Sequence, residues 1–317
     1  MIKLFKRKEK KNYTALAVIG VIILIVIILS LLIFALSNLP QKQKQKVVVL
    51  PISGVLQVSG GENNPQATSV QELSDWLEQI KAEKDVKAVI LEINSPGGGV
   101  VASMEIADKI RSLNLPTIAW IRDMSLSGGY WVSSSASYIV AHPASLVGNI
   151  GTTASYLEIA GLLESFNITY RNITSGKYKD IGSPLRELTG EEEDLLHSKI
   201  NKLTEVFVNS VAQKRNLTQS QITKIKTGEY FLGIEAIDLN LVDELGSETQ
   251  VLNKVAQILN TTQEHLQIIP IKQKKNLLAT LYGNEQAAKA FGEGFGKAFF
   301  EKLEIESRGK NEFKISA

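Results

Sequence analysis

The order of elements across residues 86–141 restricts the fold more than any other feature. Val86-Lys87-Ala88-Val89-Ile90-Leu91-Glu92-Ile93 is a strand-like run that ends in Asn94-Ser95-Pro96-Gly97-Gly98-Gly99, and a helical pattern follows from about Val100 to Leu113. Thr117-Ile118-Ala119-Trp120-Ile121 is a second such run, closed by Ser125-Leu126-Ser127-Gly128-Gly129-Tyr130 and a further helical stretch; Tyr138-Ile139-Val140-Ala141 is a third. Strand, glycine loop, helix, strand, glycine turn, helix, strand implies right-handed crossovers and a mostly parallel α/β sheet. Functional loops of such sheets gather at the carboxyl ends of the strands, so both glycine loops are expected to face one cleft.

A serine at a strand-to-helix junction, as Ser127 is, has its hydroxyl pushed outward beside backbone N–H groups that lack helical partners. That suits a nucleophile whose oxyanion the N–H groups can hold, although Ser-Gly-Gly also reads as a plain turn. Such a hydroxyl needs a base. The chain has three histidines, His142, His197 and His265, too scattered for a metal cluster, and no cysteine for a thiolate site or a disulfide. His142, followed by Pro143, reads as structural. Lysine is the other candidate, with Lys177 and Lys179 in the polar stretch Ser175–Pro184. An ordinary lysine, with a pKa of about 10.4, is charged at neutral pH and becomes a base only when burial disfavours the ammonium. On its own surroundings in the sequence, Lys179 reads as a solvated loop lysine rather than a buried base.

Ala15 to Leu36 is almost wholly apolar and uncharged. At 1.5 Å per residue it spans roughly 33 Å, enough for a bilayer core and longer than the core of most cleaved signals. Residues 15–37 are therefore expected to be a transmembrane anchor. Residues 1–14, with a local charge of +5, form a basic tail that stays cytoplasmic, and everything after residue 40 lies outside. Lys42, Lys44 and Lys46 add +3 in a hydrated linker over 38–46, which leaves −6 for the rest of a chain of net +2. A globular part with that sign argues against nucleic acid as a partner.

Val47–Ile52 opens the globular domain as a buried strand, and Gly60–Pro65 reads as a loop. Ser69 with Glu72, and Thr189 with Glu192, are candidate capping boxes for helices running to about Lys84 and Arg215. Ser155–Phe166 is amphipathic, Ile168–Ile173 is expected to be a strand, and Gly233–Gly246 a helix-turn-strand ending. The catalytic domain is expected over 47–250. Residues 251–317 would be a C-terminal extension, with a possible amphipathic helix over 286–303 serving assembly or substrate access.

Four stretches together resemble the signal peptide peptidase A family of membrane-anchored Ser-Lys proteases, in its short single-repeat form. They are Asn94–Gly99, Ser125–Tyr130, Ser175–Ile181 with Ser183-Pro184, and Leu241-Val242-Asp243-Glu244-Leu245-Gly246. The resemblance implies a crotonase/Clp-protease-like spiral of ββα units. It implies Ser127 as nucleophile, Lys179 as general base, and the backbones of Gly98 and Gly128 as oxyanion hole. It further implies an acyl-enzyme, remnant signal peptides as substrates, a homo-oligomeric ring, and no metal or cofactor. One departure stands out. The family often has a serine bonded to the lysine where this chain has Gly148-Asn149-Ile150-Gly151; the Asn149 carbonyl would take that role.

Other readings are a stomatin-type membrane-protein protease of the same superfamily and a tethered scaffold that kept the fold without the chemistry. A crotonase-like acyl-CoA enzyme fits poorly with an anchored domain outside the cytoplasm. Asn-x-Ser/Thr sequons stand at Asn167, Asn172, Asn216 and Asn260, and chance accounts for them better than glycosylation does.

Overall fold

The computed structural model describes residues 2–37, 44–60 and 67–271. It divides into two units, Met1–Lys44 and Gln45–Ala317. In the first, helix α1 runs Ile2–Ser37. Its apolar side chains from Leu16 to Phe34 are all exposed, and this stretch is long and apolar enough to cross a membrane. It fits a single-pass anchor, since only lipid or another apolar surface would relieve that exposure.

In the second unit, β1 (Gln45–Gln57), β2 (Ala67–Ser69) and α2 (Val70–Ala82) come first, then β3 (Val86–Gly98) with α3 (Val100–Arg111). β4 (Thr117–Leu126), α4 (Gly128–Ser133), β5 (Tyr138–Ala141) and β6 (Leu146–Gly148) follow, and α5 (Ala160–Ser165) leads to the long α6 (Gly190–Arg215). The chain continues through α7 (Gln219–Ile225), β7 (Tyr230–Leu232), α8 (Gly233–Ala236) and β8 (Glu244–Leu245), then α9 (Glu248–Ile258) and β9 (Leu266–Pro270). The main sheet order is β2-β1-β3-β4-β5-β8; β9 pairs with β1, and β6 with β4 and β7. All pairings are parallel except β6–β7. The expected parallel α/β architecture is therefore present.

The central strands are apolar on both faces because both faces are covered. Val48, Leu50, Ile52, Val89, Leu91 and Ile93 pack with α2, α3, α4 and α6 in one core. Their alternate neighbours Val47, Ala88, Ile90, Ile118 and Val140 pack on the other side with Val251, Val255 and Ala256 of α9. The expected domain boundary at 250 thus falls inside α9. α9 supplies the second cover that strands apolar on both sides need, and the sheet gains a further strand in β9, which ends at Pro270. The expected helix at 286–303 lies outside the described residues, as does most of the expected loop at 60–65.

Other expectations shift in detail. β1 begins at Gln45, so the expected linker over 38–46 ends two residues too late. β3 runs on through Ser95-Pro96-Gly97-Gly98, which the sequence suggests is a loop. Ile168–Ile173 is not a strand; Ile173 is 99% exposed, and among the described residues no neighbouring strand offers it a ladder. Only Ala160–Ser165 of the amphipathic stretch is helical. Both proposed caps are in place: Ser69 accepts from Glu72 N–H, and Thr189 with Glu192 forms a full capping box.

Candidate active site

β3 and β4 lie side by side in parallel register, with Ser95 opposite Ser125, so their carboxyl ends emerge together. Ser127 follows β4 directly and caps α4 at φ 50° and ψ −125°. A serine at positive φ is costly, on the order of 1–3 kcal/mol, and persists only where the surroundings hold it. They do so at both of its peptide groups. Ser127 N–H donates to the Gly148 carbonyl at 2.8 Å, and its own carbonyl accepts from Tyr130 N–H at 2.9 Å and Trp131 N–H at 3.1 Å. The side chain is half-buried, and its Oγ has no hydrogen-bond partner among the described residues.

The glycines are required by contact. Gly97 sits at φ 103°, and a Cβ on it would lie 2.8 Å from both Gly128 N and Ser127 Cβ. A Cβ on Gly98 would fall 2.1 Å from the Leu56 carbonyl oxygen, across the β1–β3 ladder. A Cβ on Gly128 would come within 3.3 Å of Gly98 N. The backbones of Gly98 and Gly128 are thus brought together beside Ser127.

α4 is clamped from below. Tyr130, Trp131 and Val132 are buried, and Trp131 stacks on Phe207 of α6 with ring centroids 4.3 Å apart. Ser125 and Ser133 share a buried hydroxyl contact of 2.6 Å. Tyr130 OH donates to the Leu241 carbonyl at 2.8 Å, and burial pushes this phenol well above its usual range. Asp243 receives the Ile139 N–H at 2.7 Å and a bidentate Arg215. The Leu241–Gly246 stretch, which the sequence marks without assigning a task, is therefore the brace beneath the helix that follows Ser127. Its only sequence signal is the acid-rich turn after an apolar pair.

Lys179 lies on a different kind of surface. Residues 152–189 contain one short helix, α5, and then turns. Lys179 N–H donates to the Gly176 carbonyl at 3.1 Å, while its side chain is exposed and makes no hydrogen bond or ion pair among the described residues. Lys177 differs: its ammonium meets Glu191, and that hydrogen bond holds it above the usual lysine range. A lysine held charged by a carboxylate is not a base, which counts against Lys177. Asn149 is at φ 51°, with Nδ2 donating to the Gly228 carbonyl at 2.7 Å and its Oδ1 without a partner among the described residues. His142 Nδ1 accepts from Ala144 N–H at 3.2 Å, a turn contact away from any nucleophile–base pair.

Residues 109–262 match the family model described as Peptidase family S49, and residues 56–147 match that of Clp protease. The sheet is accordingly Clp-protease-like. The chain is 35% identical to the putative protease MJ0651 of Methanocaldococcus jannaschii, over 73% of this chain and 74% of that protein. It is 32% identical to a putative signal peptide peptidase SppA of Enterococcus faecium, over 67% of this chain and 63% of the relative. Identity to the putative protease slr0021 of Synechocystis sp. is also 32%, over 68% and 78% of the two chains.

Proposed function

The chain belongs to peptidase family S49, the signal peptide peptidase A family of serine proteases, and on that premise we propose that it works through a Ser127–Lys179 dyad. The observation that carries this reading is the strained, doubly tethered Ser127 with two close-packed glycine backbones beside it. In the proposed reaction Ser127 Oγ attacks the peptide carbonyl carbon while neutral Lys179 Nζ takes its proton. The N–H groups of Gly98 and Gly128 receive the oxyanion, each worth about 3 kcal/mol in the transition state. The intermediate collapses, Lys179 returns the proton to the leaving amine, and an ester on Ser127 remains. Water, deprotonated by the same amine, then hydrolyses the ester.

A lysine base needs an environment shielded from water, so the reading requires that Lys179, exposed here, be covered in the working enzyme. The same segment carries apolar side chains that also need cover: Leu157 is 77% exposed, Phe166 69% and Ile173 99%. We read both as faces met by a neighbouring copy in a homo-oligomeric ring. Asn149 Oδ1 would then be an acceptor for the lysine. Remnant signal peptides are the proposed substrates, reached from a domain tethered outside the cytoplasm by residues 15–37.

A serine-reactive phosphonate probe tests the dyad in the full-length protein. The expected result is a label on Ser127 that is lost in Lys179→Ala. A label on another residue, or an undiminished label in Lys179→Ala, overturns the assignment. Cleavage of synthetic leader peptides against peptides from a stomatin-like membrane protein separates the two protease readings.

A further inference from the structure

Resting on that dyad reading, we infer that Arg186 is a positioning residue for the general base. It holds the Lys179 turn through the residue next to it and touches neither substrate nor nucleophile. The guanidinium uses all five of its N–H groups. Nε donates to Asp180 Oδ2 at 3.0 Å and Nη2 to the Asp180 carbonyl at 3.1 Å. Nη1 and Nη2 clasp the two Glu192 oxygens at 2.8 and 2.6 Å, and Nη1 also reaches the Glu187 carbonyl at 3.0 Å. One planar fork thus grips Asp180 by side chain and backbone on one side and a carboxylate on the other, a geometry lysine cannot copy.

What it grips on the far side is rigid. Glu192 is only 4% exposed, and it closes the capping box by receiving Thr189 N–H at 3.0 Å. It stands in the first turn of the 26-residue α6, whose other half is buried through Phe207, Val208 and Val211 and ends in Arg215 on Asp243. The turn also reaches the first turn of α6 through Lys177 and Tyr178, which both bond Glu191, but that contact is exposed. Beside it is a concavity of about 430 Å³ lined by groups including Asn172, Thr174 and Lys177. Arg186 is therefore the more buried of two connections from the Lys179 turn to a core-anchored helix, and the one that runs through Asp180, the residue next to Lys179. Arg186 in turn holds the Glu192 carboxyl down at about 2 against an ordinary 4.5.

The test uses full-length enzyme in detergent or nanodiscs, with a fluorogenic peptide and four variants. Arg186→Gln is expected to lower kcat about ten- to a hundredfold, the usual cost of a slightly misplaced catalytic group, with KM within about twofold. Arg186→Lys is expected to recover only part of that loss. Methylguanidinium added to Arg186→Ala is expected to restore turnover severalfold, which a merely structural lesion would not allow. Asp180→Asn leaves the Arg186–Glu192 pair and the cap in place, yet is expected to lower kcat as well; it stands in if Arg186→Gln fails to fold. Wild-type kcat in a folded Arg186→Gln or in Asp180→Asn overturns the inference, as does a loss that methylguanidinium leaves untouched. Lys179→Ala run alongside keeps the two readings apart. If Lys179→Ala itself keeps wild-type turnover, the dyad reading fails first.

Discussion

The two halves of the proposed dyad are built differently. Ser127 stands at the end of a strand in a sheet apolar on both faces, its peptide groups bonded, and the following helix buried and stacked on α6. Lys179 stands in a run of turns whose apolar side chains face outward, tied to the fold chiefly by polar clasps at the start of α6. The serine half is pre-organised by the core and carries strain that the core can hold. The lysine half is ordered by Arg186 and by Lys177 and Tyr178 on Glu191, and completed by whatever covers it. Changes on the first side should therefore move stability and activity together, and changes on the second should move activity alone.

The sharpest check is Lys179→Ala against Ser127→Ala. Both are expected to cut turnover by roughly 10⁴-fold or more, and Lys179→Ala is expected to leave the thermal midpoint within about a degree, since an exposed side chain without partners contributes little. A large fall in that midpoint would break the comparison. Next in size, Trp131→Ala is expected to cost about 3–5 kcal/mol in chemical denaturation, because Phe207 loses its stacking partner inside a full core. Gly98→Ala should cost about 1–3 kcal/mol, as its Cβ forces β1 from β3, and should lower kcat a further ~10²-fold by displacing an oxyanion donor.

On the lysine side, Ile173→Ser is expected to change the stability of the isolated fold by less than about 0.5 kcal/mol. It should still reduce the assembled fraction in sedimentation, since Ile173 is among the most exposed apolar side chains. The smallest effect is one of pH. The Glu192 carboxyl is lowered from 4.5 to about 2 by Arg186 first and Thr189 second, so its contribution is complete above about pH 4.5 and fades as pH falls through about 2. Hydrogen exchange at pH 5 and pH 3, corrected for intrinsic rates, should show residues 179–189 losing protection at the lower pH while β3 and β4 keep theirs.

Legibility in the sequence follows the same division. The sheet could be read because Val86–Ile93 and Thr117–Ile121 are apolar runs closed by glycines, and that pattern has few solutions. Ser127 could be proposed because its glycine neighbours mark a turn, but its positive φ depends on the Gly148 carbonyl, 21 residues on. The brace from Tyr130 to Leu241 spans 111 positions, and no local pattern announces it. The second cover on the sheet was hidden for a related reason: Val251, Val255 and Ala256 look like an ordinary amphipathic stretch until Val47 and Ile90 are seen to need a partner. Ile168–Ile173 misleads because a β-like composition says nothing about whether a ladder is within reach.

The pairing of β9 with β1 has a practical consequence for anyone shortening the chain. The family match ends at residue 262, and a fragment stopped there would lack Leu266–Pro270, the segment lying alongside Gln45–Val49. The backbone groups freed on Val47-Val48-Val49 would form an open, uncharged zipper for a second fragment. Such a truncation would precipitate or pair with itself even with every catalytic residue present, and its inactivity would say nothing about the chemistry.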